Sequence, residues 1–471
     1  MNAIRWLRET RNAAALAVLL LFVPPLATSC AKETSDSSAR NSALRRDSST
    51  VVHPEWSRTA CIYEVNVRQY SPGGTFTEFE THLPRLKELG VDILWFMPIH
   101  PIGEKNRKGA LGSYYSVKDY QAVNPEFGTL AEFKALVSRI HDMGMYAIID
   151  WVANHTAWDN PLVTEHPEWF TRDAEGNLTP PVPDWSDVVD LDFDHPELRA
   201  FMVEAMKFWV AEADVDGFRC DVAGMVPLDF WVEARRELET VKPVFMLAEW
   251  ESPKAHGEAF DMTYAWRMHG IMNATALGKN TVADIDACLR SDARAYPDDA
   301  YRMYFTTNHD ENSWNGTVHE RLGDGARAFA VLTCTLNGMP LIYSGQEVGL
   351  NKRLAFFEKD EIKWRAHELE DLYSTLLRLR KSDRALWNGT SGGPVVRVPT
   401  TDNRNVFAFV REKDDDKAFV ALNLSPERTE VMLRGSACAG DYADAFTGRE
   451  ATFSQGSSLA LEPWGYRVYV K

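Results

Sequence analysis

Three short apolar segments of the chain each carry a carboxylate at or near their end. Their sequences are GFRCD at 217–221, LAEW at 247–250 and TTNHD at 306–310. Burying a carboxylate beside an apolar strand costs free energy unless the group is paired or used. Asp221, Glu249 and Asp310 therefore predict a catalytic centre, because buried carboxylates that meet at one place are typical of active sites.

A fourth segment adds polar residues of the same kind. It reads IIDWVANH, so Asp150, Asn154 and His155 follow an apolar run. In GFRCD, Arg219 and Asp221 are two residues apart, and a strand places both on the same, inward face. An arginine in that position can keep a neighbouring carboxylate ionised, as a nucleophile requires.

These segments belong to a longer alternation of strands and helices. Eight strands are predicted, at 62–67, 93–97, 147–151, 217–222, 245–249, 262–265, 303–307 and 341–343. Helices are predicted at 83–89, 130–143, 196–213, 228–241, 326–336 and 369–381. Eight units with continuously apolar strands favour an α/β fold of the (β/α)8 or TIM-barrel type, whose chemistry lies at the C-terminal ends of the strands.

Two regions depart from this alternation. Residues 156–193, between the third strand and its helix, contain several Pro, Trp and Asp residues and no long periodic segment. They predict an irregular lobe over the barrel mouth. From residue 389, short apolar strands separated by turn residues predict a C-terminal all-β sandwich domain, 389–471, and leave 55–388 to the catalytic barrel with its lobe.

The N-terminus has the pattern of an export signal. Three arginines precede an apolar run too short to span a membrane, and small residues lead to Cys30. Residues 1–29 are predicted to be a signal peptide, and Cys30 resembles the lipidated cysteine of bacterial lipoproteins. The polar residues 30–54 are predicted to tether the body to the cell envelope, on its periplasmic or cell-surface face. Plain secretion and a retained anchor are the alternatives.

The composition limits the classes of partner that the protein is expected to bind. A formal net charge of −17 opposes nucleic acid, because affinity for nucleic acid rests on clustered Lys and Arg. The membrane is expected to be contacted only through the lipid anchor. Apart from Cys30, the five remaining cysteines match no zinc-binding spacing and are predicted to be buried thiols, with a disulfide left open.

The four segments resemble, in order, the four signature regions of the α-amylase superfamily of retaining α-glycoside hydrolases and transglycosylases. A fifth segment, YSVKDY from Tyr115 followed by VNPEFGT, is similar to the family's stretch before the third strand. The likeness runs from about residue 60 to the C-terminus. The chain is thus identified as an exported, lipid-anchored member of this superfamily.

The resemblance implies a role for each predicted site residue. Asp221 would be the nucleophile, Glu249 the general acid/base and Asp310 the third carboxylate, which grips sugar hydroxyls. The implied substrate-binding residues are Tyr115, which would stack beneath the sugar, His155 and His309, which would hydrogen-bond it, and Arg219, which would hold Asp221. Double displacement needs one ionised and one protonated carboxyl group about 5 to 5.5 Å apart, so the pKa of Glu249 must be raised.

The implied reaction is retaining hydrolysis of α-glucosidic, mainly α-1,4, bonds in starch-derived glucans or maltooligosaccharides. Transglycosylation, sugar isomerisation and the cleavage of pullulan or cyclodextrin use the same residues and are alternatives. A non-catalytic glucan-binding protein would lack carboxylates, whereas this chain has all three. A polar tether in place of the extra N-terminal β-domain of dimeric relatives predicts a monomer.

No cofactor is expected to be required, and no metal ligand set is predicted. The stretch 71–78 lacks the Asp/Asn-rich calcium loop of many relatives, and AGM at 223–225 replaces their usual Lys-His pair. Asn154 matches a residue that binds calcium in many α-amylases, so calcium binding is an open alternative.

Overall fold

The computed structural model describes residues 51–471, so the predicted signal peptide and residues 30–50 of the predicted tether lie outside the described residues. Within 51–471, eight parallel strands, β1 to β8, form a closed barrel. Their bounds are Ile62–Val65, Ile93–Phe96, Tyr146–Trp151, Gly217–Cys220, Phe245–Ala248, Met262–Tyr264, Tyr301–Phe305 and Met339–Tyr343. Each strand pairs with the next, and β8 pairs with β1. The predicted barrel is confirmed.

Helices surround the barrel. The α-helices of the described chain lie at Val67–Tyr70, Phe76–Glu80, Leu83–Leu89, Leu130–Asp142, Leu162–Glu165, Pro196–Glu212, Leu228–Leu238, Trp266–Ala276, Val282–Ala295, Val318–Leu322, Ala326–Thr335 and Glu368–Ser382. All six predicted helices are present. The sequence did not reveal the pair that follows β6, because Trp266–Ala276 mixes apolar residues with Arg and His, and Val282–Ala295 buries only a narrow stripe.

The interior of the barrel changes from apolar to polar along each strand. Side chains two residues apart on a strand point to the same side. The lower layer includes Ile62, Ile148 and Leu247, and the residues two positions later are Glu64, Asp150 and Glu249. The barrel is therefore sealed by an apolar core and carries its carboxylates above it, toward the C-terminal ends of the strands.

Gly217 begins β4 where no larger residue fits. Its φ angle is 149°, and a Cβ there would lie 1.9 Å from the carbonyl oxygen of Phe245 on β5. A glycine permits this close approach of two backbones. The approach sets the position of β4, which carries Arg219 toward the barrel axis.

The predicted lobe contains only short elements within its described range. His155–Ala157 pairs with Val188–Asp190 as a two-stranded antiparallel sheet, and one turn of helix lies at Leu162–Glu165. The Trp158 indole donates to the carbonyl oxygen of Ser186 across the lobe, at 3.0 Å. The rest is irregular, as its Pro-rich sequence predicts.

The C-terminal module is antiparallel, as predicted. Its larger sheet has six strands, Val396–Arg397, Val406–Lys413, Asp416–Asn423, Gly440–Asp444, Glu450–Phe453 and Tyr466–Val470, and its smaller sheet pairs Thr429–Met432 with Ser458–Leu461. Val406, Phe419 and Val431 contribute to one apolar core between the two sheets. The two sheets thus form the layers of a sandwich.

Arg411 joins this module to the barrel. Its buried guanidinium donates to five carbonyl oxygens, those of Thr335, Leu336, Leu386, Trp387 and Gly393. Because buried carbonyl oxygens need a donor, this one side chain satisfies much of the backbone of the junction.

The first described residues pack against the floor of the barrel, at the N-terminal ends of its strands. His53 lies 2.7 Å from the carboxylate of Asp261 and stacks on Tyr301, the first residue of β7, at a centroid distance of 4.3 Å. Trp56 stacks on Tyr146, the first residue of β3, at 3.9 Å. Residues 51–54 of the predicted tether therefore contact the barrel. Within the described chain no helix has the length and apolarity needed to cross a membrane.

Candidate active site

Arg219 lies at the centre of the polar layer with no exposed surface. Its Nη1 donates to Asp150 Oδ1 and Asp221 Oδ1, both at 2.8 Å. Its Nη2 lies 2.9 Å from Glu249 Oε2, and Nε donates to the hydroxyl of Tyr264 at 3.2 Å. One rigid guanidinium therefore contacts three carboxyl groups from fixed directions.

Asp150 balances the charge of Arg219 from below. Its second oxygen, Oδ2, accepts from the Trp95 indole at 3.2 Å and from the hydroxyl of Tyr115 at 3.0 Å. Both oxygens of this fully buried carboxylate are thus used. Asp150, which the sequence places at the end of an apolar run, thus pairs directly with Arg219.

Glu249 is held by the backbone as well as by Arg219. The amide of Val222 donates to Glu249 Oε2 at 2.8 Å. Val222 has φ 36° and ψ 45°, a left-handed conformation that is costly for a β-branched residue. The strained residue directly follows Asp221. Its conformation directs its backbone N–H toward the carboxyl group of Glu249.

Burial raises the pKa of Glu249 to about 8. Arg219 opposes the rise, and the negative charges of Asp221 and Asp310 add to it. Glu249 therefore carries a proton at neutral pH, as the sequence predicted.

His309 and Tyr115 lie together on one side of the site. His309 Nδ1 is hydrogen-bonded to the carboxylate of Glu64, and Nε2 lies 2.8 Å from the hydroxyl of Tyr115 and 3.5 Å from Asp310 Oδ2. The rings of Tyr115 and His309 stack at 5.4 Å. Burial disfavours a charged His309, but the carboxylates of Asp310 and Glu64 outweigh it and raise its pKa to about 9.

His155 approaches from the lobe side. Its Nε2 lies 4.0 Å from Asp221 Oδ2, and its ring contacts Trp185 at 5.3 Å. Burial lowers the pKa of His155, so this histidine is neutral, unlike His309. The site thus has one neutral and one cationic imidazole.

The structure brings all the sequence-predicted site residues together: Tyr115, His155, Arg219, Asp221, Glu249, His309 and Asp310. Sequence reasoning missed Glu64, Trp95 and Tyr264, which contact this group from β1, β2 and β6. A single charge within the apolar run CIYEVNV was the available signal for Glu64. Trp95 and Tyr264 had none, because a buried aromatic residue on a strand looks like core.

Asn154, the residue considered for calcium binding, lies between His155 and Asp190. Its side-chain oxygen lies 3.3 Å from His155 Nδ1, and its amide donates to Asp190 at 3.4 Å. Among residues 51–471, no group of three or more His, Cys, Asp and Glu side chains is arranged to hold a metal ion. No metal is used in the mechanism below.

The cysteines of the described chain are free. Cys61, Cys220, Cys288, Cys334 and Cys438 are all buried thiols, as predicted. They take no part in the site.

Comparison with known proteins places the chain in a family. Residues 36–185 and 182–417 match the family model of the α-amylase catalytic domain, and residues 396–468 match that of the maltogenic amylase C-terminal domain. The chain belongs to the α-amylase family. The two matches together span the barrel and the β module described above.

Two solved structures are similar over nearly their whole length. A maltogenic α-amylase, AmyB, from Thermotoga neapolitana is 34% identical with a TM-score of 0.81, and the match covers 88% of this chain and 98% of that one. An α-amylase from Lactobacillus plantarum is 34% identical with a TM-score of 0.78, and the match covers 88% of this chain and 99% of that one. These likenesses confirm an α-amylase-type glycoside hydrolase that acts on α-glucans.

A sequence relative is longer. The α-amylase MalA of Haloarcula japonica is 28% identical over 427 residues, which make up 85% of this chain. The chain spans 61% of the length of that relative.

Replacing Arg219 by Leu is expected to destabilise the fold by about 3–5 kcal/mol, because it leaves Asp150 buried without its counter-charge. The double variant R219L/D150N should be more stable than R219L, since the unpaired carboxylate is removed while Trp95 and Tyr115 can still bind the amide. The free energy of unfolding in urea measures both effects.

Arg58→Leu is the matched control, because the Arg58 side chain is exposed and forms an ion pair with the exposed Glu55. Its effect should stay within about 0.5 kcal/mol. A double variant no more stable than R219L would contradict the assignment of Asp150 as the buried counter-charge.

Proposed function

We propose that the enzyme cleaves α-1,4-glucosidic bonds of starch-derived glucans or maltooligosaccharides with retention of configuration, through a covalent intermediate on Asp221. This proposal rests on a difference in environment between two carboxyl groups that contact the same guanidinium. Asp221 accepts a charge-assisted hydrogen bond from Arg219, whereas Glu249 is buried with a pKa of about 8. Double displacement requires such a pair, one group to attack and one to supply a proton.

In the first step Asp221 attacks the anomeric carbon. Its Oδ1 is held by Arg219, so Oδ2 is the oxygen left to form the new bond. Glu249 Oε2 is bound by Arg219 and by the Val222 amide, which leaves Oε1 to carry the proton. That proton passes to the glycosidic oxygen as its bond to the anomeric carbon breaks, and the departing glucan leaves with a free hydroxyl group.

In the second step water attacks the anomeric carbon of the glycosyl ester. The ionised Glu249 takes a proton from this water, and the bond to Asp221 breaks. The sugar leaves with its original anomeric configuration, and both carboxyl groups return to their starting states.

The remaining site residues are proposed to bind the sugar at the cleavage point. Asp310 would accept hydrogen bonds from its hydroxyls, and His309 and His155 would bond to it from opposite sides. Tyr115 would stack on its apolar face, which suits an aromatic ring beside a pyranose. Arg219 would act by holding Asp221 rather than by touching the sugar.

Maltooligosaccharides are favoured as substrates by two likenesses. The C-terminal module matches that of maltogenic amylases, and the Thermotoga neapolitana relative is itself described as maltogenic. The enzyme is proposed to need no metal and to act as a monomer. Products from maltotriose, starch, pullulan and cyclodextrin, resolved by size and anomeric form, test the specificity.

Asp221→Asn is expected to lower the turnover of maltotriose by about 10⁴-fold or more, since the attacking oxygen is lost. The matched control is Asp216→Asn. Asp216 precedes the same strand at the barrel floor, where it accepts from the amide of Ala147 at 2.8 Å. That control should lose stability but keep turnover. Full activity in D221N would refute the assignment of the nucleophile.

The ratio kcat/KM should fall as the pH rises through about 8, because Glu249 then loses the proton it must donate. Glu249→Gln should remove this alkaline limb. An aryl maltoside is the substrate for that variant, since its leaving group departs without a proton. A wild-type limb near the ordinary pKa of a glutamic acid would contradict the proposed acid.

We further propose that the enzyme is exported and lipid-anchored through Cys30. The basic, apolar and small residues before Cys30 support this. Detergent phase partitioning of the expressed full-length chain tests it: the wild type should enter the detergent phase and Cys30→Ser the aqueous phase. Cys438→Ser, a control that keeps Cys30, should behave like the wild type. A wild type in the aqueous phase would indicate plain secretion, and C30S in the detergent phase a retained anchor.

A further inference from the structure

Glu64 is a buried charge that the mechanism above does not use. It lies on β1 with no exposed surface. One of its oxygens bonds to His309 Nδ1, while Oε2 has no hydrogen-bond partner among residues 51–471. Half of its hydrogen-bonding capacity is therefore lost on burial, which is unfavourable for a carboxylate. An apolar residue would serve packing better, so the charge itself needs a reason.

Counting donors fixes the protonation of His309. The Tyr115 hydroxyl has one proton and donates it to Asp150 Oδ2 at 3.0 Å. The Tyr115 oxygen can then only accept from His309 Nε2, 2.8 Å away, so Nε2 carries a proton. The carboxylate of Glu64 accepts from Nδ1, so Nδ1 carries one as well. Both ring nitrogens are protonated, and His309 is an imidazolium.

We propose that Glu64 is a positioning residue that keeps His309 cationic and so presents an Nε2–H donor to the substrate. This inference rests on the proposed function only in assigning His309 to the sugar. Glu64 itself is fully buried and acts through the imidazole.

The charges around His309 favour this state on balance. Glu64 faces it from β1, and Asp310 Oδ2 lies 3.5 Å from Nε2. Arg219, on β4, opposes a second positive charge. Tyr115 is neutral, because burial and Asp150 hold its pKa well above the ordinary range. The two carboxylates give His309 its pKa of about 9, so the imidazolium persists at neutral pH and is lost as the pH rises through about 9.

A cationic His309 also moderates the charge of the site. Four carboxylates lie on the network: Glu64, Asp150, Asp221 and Asp310. Glu249 is protonated and carries no charge. The positive charges of this network are therefore those of Arg219 and His309. In a buried setting like charges repel strongly, so a second cation between Glu64 and Asp310 offsets part of the repulsion among the negative charges.

The test is Glu64→Gln in the full chain. Glutamine has the same shape but no charge, and its side-chain amide N–H can donate to an unprotonated Nδ1. At pH 7, His309 should be doubly protonated in the wild type and neutral in E64Q, as read from ¹⁵N-histidine spectra assigned with His309→Gln. The value of kcat for maltotriose should fall about 10- to 100-fold, and the alkaline limb of the pH profile should move to lower pH.

Glu347→Gln is the matched control. Glu347 is equally buried, but it bonds to Tyr63 at 2.8 Å and Arg85 at 2.9 Å instead of to His309. E347Q should lose stability while the pH profile and the His309 spectrum stay as in the wild type. If E64Q likewise changes stability alone, Glu64 is structural and the inference is wrong.

The spectra separate this inference from the proposed function, because they need no turnover. A neutral His309 in the wild type at pH 7 would overturn the inference even if E64Q did not fold. An active D221N would overturn the proposed function and leave the protonation of His309 to be decided by the spectra.

Discussion

The buried guanidinium of Arg219 is the interaction on which the rest of the site depends. Each of its three nitrogens is committed, to Asp150 and Asp221, to Glu249, and to Tyr264. The separation of Asp221 and Glu249 is therefore set by a rigid planar group, together with the Val222 amide that also binds Glu249. A lysine, with a point charge on a flexible stem, could not do this.

A buried arginine in turn requires a counter-charge that cannot move. Asp150 supplies it, and Trp95 and Tyr115 hold Asp150 through its second oxygen. Tyr115 continues the network to His309 and so to Glu64 on β1. The polar layer behaves as one connected unit, in which a partly satisfied network would be worse than an apolar core. This explains why so many charges can lie inside one barrel.

The barrel and most of the site could be predicted from the sequence, and the reasons are physical. Strands buried on both faces are continuously apolar, so their number and spacing could be predicted. A carboxylate such as Glu249 at the end of such a run stood out because its burial is costly. Trp95 did not stand out, because a buried aromatic residue on a strand follows the same pattern as a core residue. Glu64 was a single charge in an apolar run. The strained turn at Val222 and the contacts of His53 depend on parts of the backbone that are distant in sequence. No local sequence pattern predicts them. The signal peptide, the lipid anchor and the monomeric state stay predictions.

The docking of residues 51–54 beneath the barrel has a consequence for access. His53 and Trp56 fix the start of the described chain at the floor, against the first residues of β7 and β3, whereas Asp221 and Asp310 follow the opposite ends of their strands. Residues 51–56 thus lie on the side of the barrel away from the mouth. A substrate that enters at the mouth therefore meets none of residues 51–56, because these residues lie at the other end of the barrel.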